Sequence, residues 1–207
     1  MQYICYKIYY IEILKVFLLK KIIIGITGAS GIIYSQRLLE ILFSNPTIET
    51  HLIVSKSSEQ IRHTEIDKTS LELKKLANYH YNVNNISALI ASGSFQTNGM
   101  IIIPCSMNTL GEIANGISRN LITRAADVVL KEKRKLILVT RETPLHIKHL
   151  ENMVQATKIG AIISPPIPAF YNKPESIKDL IDYTIVRILD LFNIKVNFLV
   201  KRWGSIY

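Results

Sequence analysis

The sequence has very few residues that could form a metal centre or a disulfide framework. Its two cysteines, Cys5 and Cys105, lie far apart and match no metal-ligand or disulfide spacing, which indicates a reducing compartment. Of the five histidines, only His146 and His149 lie close together. Two such ligands without a third are more typical of a solvated surface than of a metal site. The sequence therefore predicts a cytoplasmic protein without a metal.

The sequence also lacks an uncharged apolar run of the ~20 residues that a membrane span requires. Residues 1–20 are largely apolar, but Lys7, Glu12 and Lys15 interrupt them. This segment has neither the basic start nor the small-residue cleavage site of a signal peptide. We interpret residues 1–20 as an N-terminal extension and residues 21–207 as a single domain, and we expect no membrane association.

The net charge of +9 is not accompanied by a nucleic-acid-binding motif. The sequence contains no zinc-finger spacing, RNP-like aromatic motif or long basic arm, so nucleic acid is not an expected partner. Scattered lysines and the cluster Lys131 to Lys135 supply much of the charge. These cations form either an ordinary basic surface or a patch that surrounds a phosphorylated small molecule.

Short β-branched runs alternate with segments of helical periodicity along the chain. Residues 67–85 are the least regular and are interpreted as a surface connection. Asn120 is predicted to cap one helix and Pro174 to lie in the first turn of the last. Strands are predicted at residues 21–28, 49–55, 99–106, 134–142 and 160–164, and helices at 32–42, 56–64, 121–132, 145–158 and from 174 onwards.

Strands that alternate with helices form βαβ units. The predicted fold is therefore a Rossmann-like, doubly wound α/β fold, with a mostly parallel sheet between two helical layers. Sheets of this kind bind ligands at the carboxyl ends of their strands. The residues that follow each strand are therefore the candidate site.

The first strand ends in the glycine-rich turn GITGASG, Gly25 to Gly31. Glycine allows a sharp turn and a close approach to a bound group. Ser30 and the N-terminus of the following helix offer a hydroxyl and N–H groups to an anion. The glycine spacing differs from the dinucleotide motif, and Ser55 rather than an acidic residue ends the second strand. The pattern therefore favours a mononucleotide.

The third and fourth strands end in polar groups. In PCSMNT, Ser106, Asn108 and Thr109 form either a helix-capping turn or a ligand loop. The fourth strand ends in Arg141, which can bind a phosphate or a polar ring edge in a fork geometry, and Glu142, which can move a proton.

The fifth strand leads into SPPIPAFYNKP, a proline-rich segment that is neither helix nor central strand and that holds Tyr171 in place. The sequence contains no serine–histidine–acid arrangement, P-loop or metal-binding cluster. The chemistry of such a site is expected to come from a bound cofactor.

Taken together, the motifs GITGASG, VSK, SGSF, PCSMNTL, NLITRAADVVLKE, LVTRETPLH, HLENM, GAIISPPIPAFY and RWG resemble the UbiX family of flavin prenyltransferases. The resemblance runs from about Lys21 to Gly204. It implies transfer of a dimethylallyl group from dimethylallyl phosphate to N5 and C6 of reduced FMN, without a metal. The implied product is prenylated FMN for UbiD-type decarboxylases, for example in ubiquinone biosynthesis, and the implied assembly is a homododecamer with sites where subunits meet.

The resemblance also assigns roles to individual residues. It implies catalytic roles for Glu142, Ser30, Glu65 and Lys131. The implied flavin-binding residues are Gly28, Ala29, Ser30, Ser55, Ser106, Met107, Asn108, Thr109 and Arg141. The implied residues around the prenyl phosphate are Tyr171, Arg187, Arg124, Lys131 and Trp203. From the residues alone, Arg187 in the middle of a helix could instead pair with Asp190.

Two other functions are compatible with a flavin site on this fold. One is an FMN-dependent decarboxylase of cysteine-containing substrates. Such enzymes carry a histidine in the first helix region and a PASANT-like loop, whereas this chain has no histidine after Gly31 in that helix and reads PCSMNT. The other is a non-catalytic FMN carrier, which has no need of Glu142, Tyr171 and Arg187 together.

Overall fold

The computed structural model describes residues 19–196 and 199–200 of the 207-residue chain. These residues form a six-stranded sheet in the order β3-β2-β1-β4-β5-β6, and every neighbouring pair of strands is parallel. The strands are β1 (Lys20–Ile26), β2 (Ile48–Val54), β3 (Tyr79–Tyr81), β4 (Gly99–Cys105), β5 (Lys135–Thr140) and β6 (Ala161–Ile163).

Seven α-helices and one short 3₁₀ helix (Leu89–Ala91) accompany the strands among the described residues. The α-helices are α1 (Ile32–Phe43), α2 (Lys56–Glu65), α3 (Ser70–Lys74), α4 (Met107–Ala114), α5 (Leu121–Lys131), α6 (Ile147–Lys158) and α7 (Ile177–Leu191). None of these helices is long and apolar enough to cross a membrane. The predicted three-layer, doubly wound α/β fold is confirmed.

The core consists of two apolar layers, one on each face of the sheet. Helices α1 and α7 pack on one face, and α4, α5 and α6 pack on the other. All seven residues of β4 are buried, as expected for a central parallel strand that is covered on both sides. β-Branched isoleucine suits such strands because it fills the pleated surface in few rotamers.

An ion pair ties α1 to α7. The Arg37 guanidinium donates to both carboxylate oxygens of Asp182, from Nε at 2.5 Å and from Nη2 at 3.0 Å. Asp182 is buried, and the bidentate pair with Arg37 compensates for the cost of removing its carboxylate from water. The pair links the helix that follows the glycine turn to the helix that carries Arg187.

Two local predictions were wrong. Residues 67–85 are more regular than predicted, since they contain α3 and the edge strand β3. Pro174 does not lie in the first turn of α7, because Ser176 is the N-cap and forms a capping box with Asp179. The cap from Asn120 to α5 is confirmed, as its side chain accepts from the N–H groups of Ile122 and Thr123.

The sheet order places β1 beside β4 at its centre. The chain leaves β1 towards β2 on one side and leaves β4 towards β5 on the other, so the carboxyl ends of β1 and β4 flank a topological switch point. Neighbouring strands lie about 4.8 Å apart, which brings the two following turns side by side.

Candidate functional site

Thr27 joins the turns after β1 and β4. Its hydroxyl donates to the carbonyl oxygen of Pro104 at 2.8 Å and accepts from the backbone N–H of Ser106 at 2.8 Å. The backbone N–H of Thr27 also donates to Pro104 at 3.2 Å. These bonds hold the glycine turn against the Ser106 turn.

Gly28 permits a close approach between the glycine turn and the start of α2. A Cβ atom at this position would lie 2.4 Å from the Ser57 hydroxyl oxygen and 2.5 Å from its Cβ. No larger residue fits without moving α2. Gly31 has φ of +110°, a conformation that glycine adopts more readily than other residues.

The N-terminus of α1 is already occupied by a side chain of the protein. The Glu65 carboxylate accepts from the N–H of Gly31 at 2.9 and 3.1 Å and from the N–H of Ile32 at 2.8 Å. These are the donors that the glycine-rich pattern predicted for a bound anion. Because the Glu65 carboxylate takes these two donors, the predicted anion site at this turn depends on the Ser30 hydroxyl and on other N–H groups, and it stays a prediction.

Ser55 and Ser106 both act as helix caps. The Ser55 hydroxyl accepts from the N–H of Ser58 at 3.1 Å at the start of α2. The Ser106 hydroxyl accepts from the N–H of Thr109 at 3.3 Å and donates to its hydroxyl at 3.1 Å. The capping interpretation of PCSMNT is confirmed, and a hydroxyl at a cap can still contact a ligand.

Asn108 and Thr109 face their own helix. The Asn108 amide donates to the Glu112 carboxylate at 3.1 Å, and Thr109 is buried. Met107, which precedes Asn108 in the sequence, lines the cleft described below.

Arg141 and Glu142 follow β5 directly and are both exposed. The backbone N–H of Arg141 donates to the Cys105 carbonyl at 3.2 Å, which aligns the end of β5 with the end of β4. The Arg141 guanidinium has no hydrogen bond or ion pair to any described residue. Its planar group of N–H donors lines the same cleft as Ser30 of the glycine turn and Ser106.

These elements enclose one cleft with a volume of ≈ 390 Å³. Its walls come from the glycine turn, the end of α2, the Ser106 turn and the end of β5. The lining residues are Gly28, Ala29, Ser30, Ile61, Thr64, Glu65, Ser106, Met107, Arg141 and Glu142.

Eight of the lining residues were predicted from the sequence, and Ile61 and Thr64 were missed. Helical spacing could have found them, because Ile61, Thr64 and Glu65 recur at the interval that puts residues on one face of α2.

The cleft residues fit a flavin mononucleotide. Gly28 and Ala29 are small, so the backbone can approach a planar ring or a phosphate closely. Ser30 and Ser106 provide hydroxyls, and Arg141 provides the positive charge that an anionic phosphate or a polar ring edge requires.

Cys105 directly precedes Ser106 at the end of β4 but is not available for nucleophilic chemistry. It is completely buried, and burial raises the pKa of its thiol. A protonated, enclosed thiol is a poor nucleophile.

Tyr171 lies in a second cluster on the surface of α7. Its hydroxyl is hydrogen-bonded to the hydroxyl of Tyr183, and the two rings meet edge to face with centroids 5.7 Å apart. Arg187, one turn further along α7, donates to the Asp190 carboxylate at 3.0 Å. The pairing that the sequence allowed for Arg187 is therefore present in the chain, although Arg187 remains exposed.

Arg124 and Lys131 form a third group on α5. Arg124 pairs with Asp127 at 2.8 Å, and Lys131 pairs with Glu132 at 2.5 Å. Lys131 lines a separate cleft of ≈ 460 Å³. Within the described part of one chain, the lining of the flavin-sized cleft includes none of Tyr171, Arg187, Arg124 and Lys131, and Trp203 lies outside the described residues.

Comparisons with known proteins agree with this geometry. The Flavoprotein family profile matches residues 18–189. The flavin prenyltransferase UbiX of Escherichia coli is 50% identical over 186 residues, which cover 89% of this chain and 98% of that protein.

Two solved structures are also similar. AnUbiX in complex with FMN and dimethylallyl pyrophosphate has a TM-score of 0.88 and 44% identity, over 91% of this chain and 100% of the other. A dodecameric FMN-dependent UbiX-like decarboxylase from Escherichia coli has a TM-score of 0.87 and 44% identity, over 89% of this chain and 100% of the other.

Proposed function

Because the chain belongs to the UbiX family of flavin prenyltransferases, we propose that it joins the dimethylallyl group of dimethylallyl phosphate to N5 and C6 of reduced FMN. The product is prenylated FMN, and phosphate is released. The observation that carries the proposal is the cleft at the switch point, which Arg141 and Glu142 line together with the glycine turn and Ser106. The 50% identity over 186 residues supports the same reaction.

The bound cofactor supplies the nucleophile in this proposal, since reduced flavin is electron-rich at N5. The chain binds and orients it. Gly28, Ala29 and Ser30 hold it from one side, and Ser106 and Met107 hold it from the other. Ser55, Asn108 and Thr109 act mainly by shaping the turns, since their polar groups bond within the chain or stand outside the cleft. Arg141 provides the charge-assisted hydrogen bonds.

Glu142 is the proposed proton-moving residue. Its carboxylate is exposed at the cleft and accepts from the N–H of Thr143 at 3.0 Å, which fixes its position without neutralising it. Glu65 acts by holding the glycine turn, although its side chain also lines the cleft. A carboxylate within reach of the reacting group is the requirement for general acid–base catalysis.

The phosphate end of the substrate requires positive charge as the allylic C–O bond breaks. We assign this role to Arg187, Arg124 and Lys131, with the Tyr171 phenol and with Trp203. Among the described residues of one chain, Arg187, Arg124, Lys131 and Tyr171 are not part of the cleft lining, so the proposal requires neighbouring copies to bring them to the cleft.

Association into a homo-oligomer is supported by exposed apolar residues on α6. Ile147, Leu150 and Val154 lie at helical spacing on α6, and Ile147 is 71% exposed. Such a stripe normally marks an interface. A similar protein forms a dodecamer, and we propose a dodecamer here. A UbiD-type decarboxylase in the cytoplasm would receive the product, as in ubiquinone biosynthesis.

The reaction is tested by anaerobic incubation of the FMN-loaded protein with dithionite and dimethylallyl phosphate. Mass spectrometry of the extracted flavin is expected to show the mass gain of one dimethylallyl unit, with an equal amount of phosphate released. Unmodified flavin after incubation with folded, FMN-loaded protein would exclude the proposal. Parallel incubation with dimethylallyl pyrophosphate decides between the two donors.

The same preparation distinguishes the other two functions. Release of CO2 from a peptide with a carboxy-terminal cysteine would indicate the decarboxylase. FMN binding without either reaction would indicate the carrier. No contact in the described residues favours either of these functions over prenyl transfer.

A further inference from the structure

Thr27 is hydrogen-bonded to both of the turns between which the flavin is proposed to bind. We propose that Thr27 is a positioning residue, whose hydroxyl sets the distance between the glycine turn and the Ser106 turn and thereby raises the affinity of the cleft for FMN. This inference rests on the proposed function, because it extends the account of how the chain holds the cofactor.

The ladder between β1 and β4 does not by itself fix these two turns. The pairing of the two strands extends as far as Gly25 and Ile102. Pro104, further along β4, has no N–H group with which to continue it. The pairing of β4 with β5 also shifts in register between Ile102 and Cys105. The turn at Ser106 therefore begins where the regular hydrogen bonding of β4 has already been interrupted.

The Thr27 side chain connects the two turns at this place. Its hydroxyl donates to the Pro104 carbonyl at 2.8 Å and accepts from the Ser106 N–H at 2.8 Å. The direction of each bond is determined, because a carbonyl oxygen can only accept and an N–H can only donate. The backbone N–H of Thr27 adds a bond of 3.2 Å to the same carbonyl. The hydroxyl is thus the group that reaches past Pro104 to Ser106.

Thr27 is also part of the glycine turn. Its carbonyl oxygen accepts from the N–H of Ala29 at 2.9 Å, and both Gly28 and Ala29 line the cleft. One residue therefore holds Ala29 on one side of the cleft and Ser106 on the other. A change in the position of Thr27 relative to β4 would change the gap that a flavin fills.

The Thr27 side chain is suited to hold a fixed geometry. It is β-branched and therefore restricted in its first torsion. Thr27 is 2% exposed, so it has almost no surface for a ligand and can affect FMN only through the two turns. Binding groups that are held in place before the ligand arrives lose less entropy when it binds.

The test uses Thr27→Val, which exchanges the hydroxyl for a methyl group of similar size. We expect the dissociation constant for FMN, measured by quenching of flavin fluorescence, to rise about 10-fold, which corresponds to about 1.4 kcal/mol. Thr27→Ser keeps the hydroxyl and should bind FMN within about twofold of wild type, although loss of a buried methyl group lowers its stability. An FMN affinity that follows the stability of the variants, rather than the presence of the hydroxyl, would overturn the inference.

Thr50→Val is the matched control. Thr50 is buried on β2, and its hydroxyl also makes two bonds, donating to the Asn78 side-chain oxygen at 3.0 Å and accepting from the Asn78 N–H at 3.0 Å. Loss of these bonds should lower the free energy of unfolding of the apo protein about as much as Thr27→Val does. The FMN affinity should stay unchanged, because these bonds join β2 to the residue before β3. An equal loss of FMN affinity in both variants would contradict a specific role of Thr27.

Urea unfolding of the apo variants shows which of them fold. Should Thr27→Val not fold, Thr27→Cys takes its place, because a thiol of similar size is a weaker donor and acceptor than a hydroxyl. Its dissociation constant for FMN is expected to be at least about 3-fold higher than that of Thr27→Ser. Equal constants for these two variants would overturn the inference.

FMN binding and prenyl transfer are measured on the same samples, so the two proposals can fail separately. If the wild-type protein binds FMN but forms no prenylated FMN, the proposed reaction is wrong, while a weaker FMN affinity of Thr27→Val still supports the positioning role. If the wild-type protein forms prenylated FMN and Thr27→Val binds FMN as tightly as wild type, the positioning role is wrong and the reaction stands. A wild-type protein that binds no FMN would exclude both.

Discussion

Glu65 closes the N-terminus of α1 by accepting hydrogen bonds from the backbone N–H of Gly31, with N···O distances of 2.9 and 3.1 Å. The contact joins the end of α2 to the end of the glycine turn, across more than thirty residues of sequence. It places a negative side chain where Rossmann-like proteins commonly hold a ligand phosphate. We therefore expect the FMN phosphate to bind donors other than the N–H groups of Gly31 and Ile32.

Replacement of this carboxylate is expected to loosen the glycine turn even when no cofactor is bound. Glu65→Gln keeps the shape of the side chain but removes its charge, and it offers one acceptor oxygen in place of two. We expect the free energy of unfolding of the apo protein to fall by about 1 kcal/mol, the usual loss for a helix cap with its dipole interaction. Urea unfolding without FMN measures this loss.

The control for Glu65→Gln is Glu151→Gln. Glu151 is an exposed carboxylate on α6 that pairs with Lys148 at 3.1 Å. Removal of an exposed pair changes stability by less than about 0.5 kcal/mol. Equal losses of unfolding free energy in the two variants would mean that the Glu65 cap stabilises the protein no more than an exposed ion pair does.

Arg141 is expected to contribute to FMN affinity but not to folding, because its guanidinium has no described partner within the chain. Arg141→Ala should weaken FMN binding about 10- to 100-fold, the loss expected for charge-assisted hydrogen bonds. The melting temperature of the apo protein should not change. Quenching of flavin fluorescence on titration with apo protein gives the dissociation constant.

The substitution Arg141→Lys separates charge from geometry. Lysine keeps the positive charge but loses the planar fork of donors, so an intermediate affinity is expected if both matter. An affinity for FMN that survives Arg141→Ala unchanged would place the cofactor away from this end of β5.

Cys105 is expected to be inert in the folded protein because its side chain is 0% exposed and burial raises the pKa of its thiol. In a Cys5→Ser background it is the only thiol of the chain. Alkylation by iodoacetamide should then be at least about a thousandfold slower in buffer than in urea, since unfolding must come first. Similar alkylation rates in buffer and in urea would contradict the buried position of Cys105 and would make its thiol a candidate reactive group at the site.

The central part of the fold was predictable because buried parallel strands appear in the sequence as short runs of apolar residues. Strands β1, β2, β4 and β5 fall within or near the predicted ranges, with boundaries shifted by one or two residues. The edge strand β3 was not predictable in this way. Its sequence YHY carries no apolar run, because an edge strand is covered less on its outer side.

The candidate site was predictable only as far as it lies at strand ends. The turn residues and Arg141 follow from the rule for parallel sheets. The capping contact of Glu65 and the pairing of Tyr183 with Tyr171 depend on how helices approach distant loops, which no local pattern contains. The start of α7 is a different case, because Ser176 and Asp179 at capping-box spacing were a better guide than Pro174.

His51 is expected to make the stability of the sheet edge depend on pH. It is 2% exposed on β2, where its ring stacks on Tyr79 and Tyr81. Its Nε2 lies 2.9 Å from the Glu49 carboxylate and its Nδ1 lies 2.9 Å from the Tyr81 hydroxyl. A neutral ring satisfies both contacts, since Nε2–H donates to Glu49 and Nδ1 accepts from Tyr81.

Burial lowers the pKa of His51 below the ordinary value of 6.5, against the opposing effect of Glu49. The unfolded chain therefore binds a proton at a higher pH than the folded chain does. It follows that the free energy of unfolding is highest above about pH 6.5 and decreases as the pH falls below that value. Urea midpoints measured between about pH 5 and pH 8 should show this decrease, and the slope should be smaller in His51→Gln. The control is His80→Gln, at an exposed position on the neighbouring strand, which should retain the wild-type slope. An identical slope in wild type and His51→Gln would assign the pH dependence to other groups.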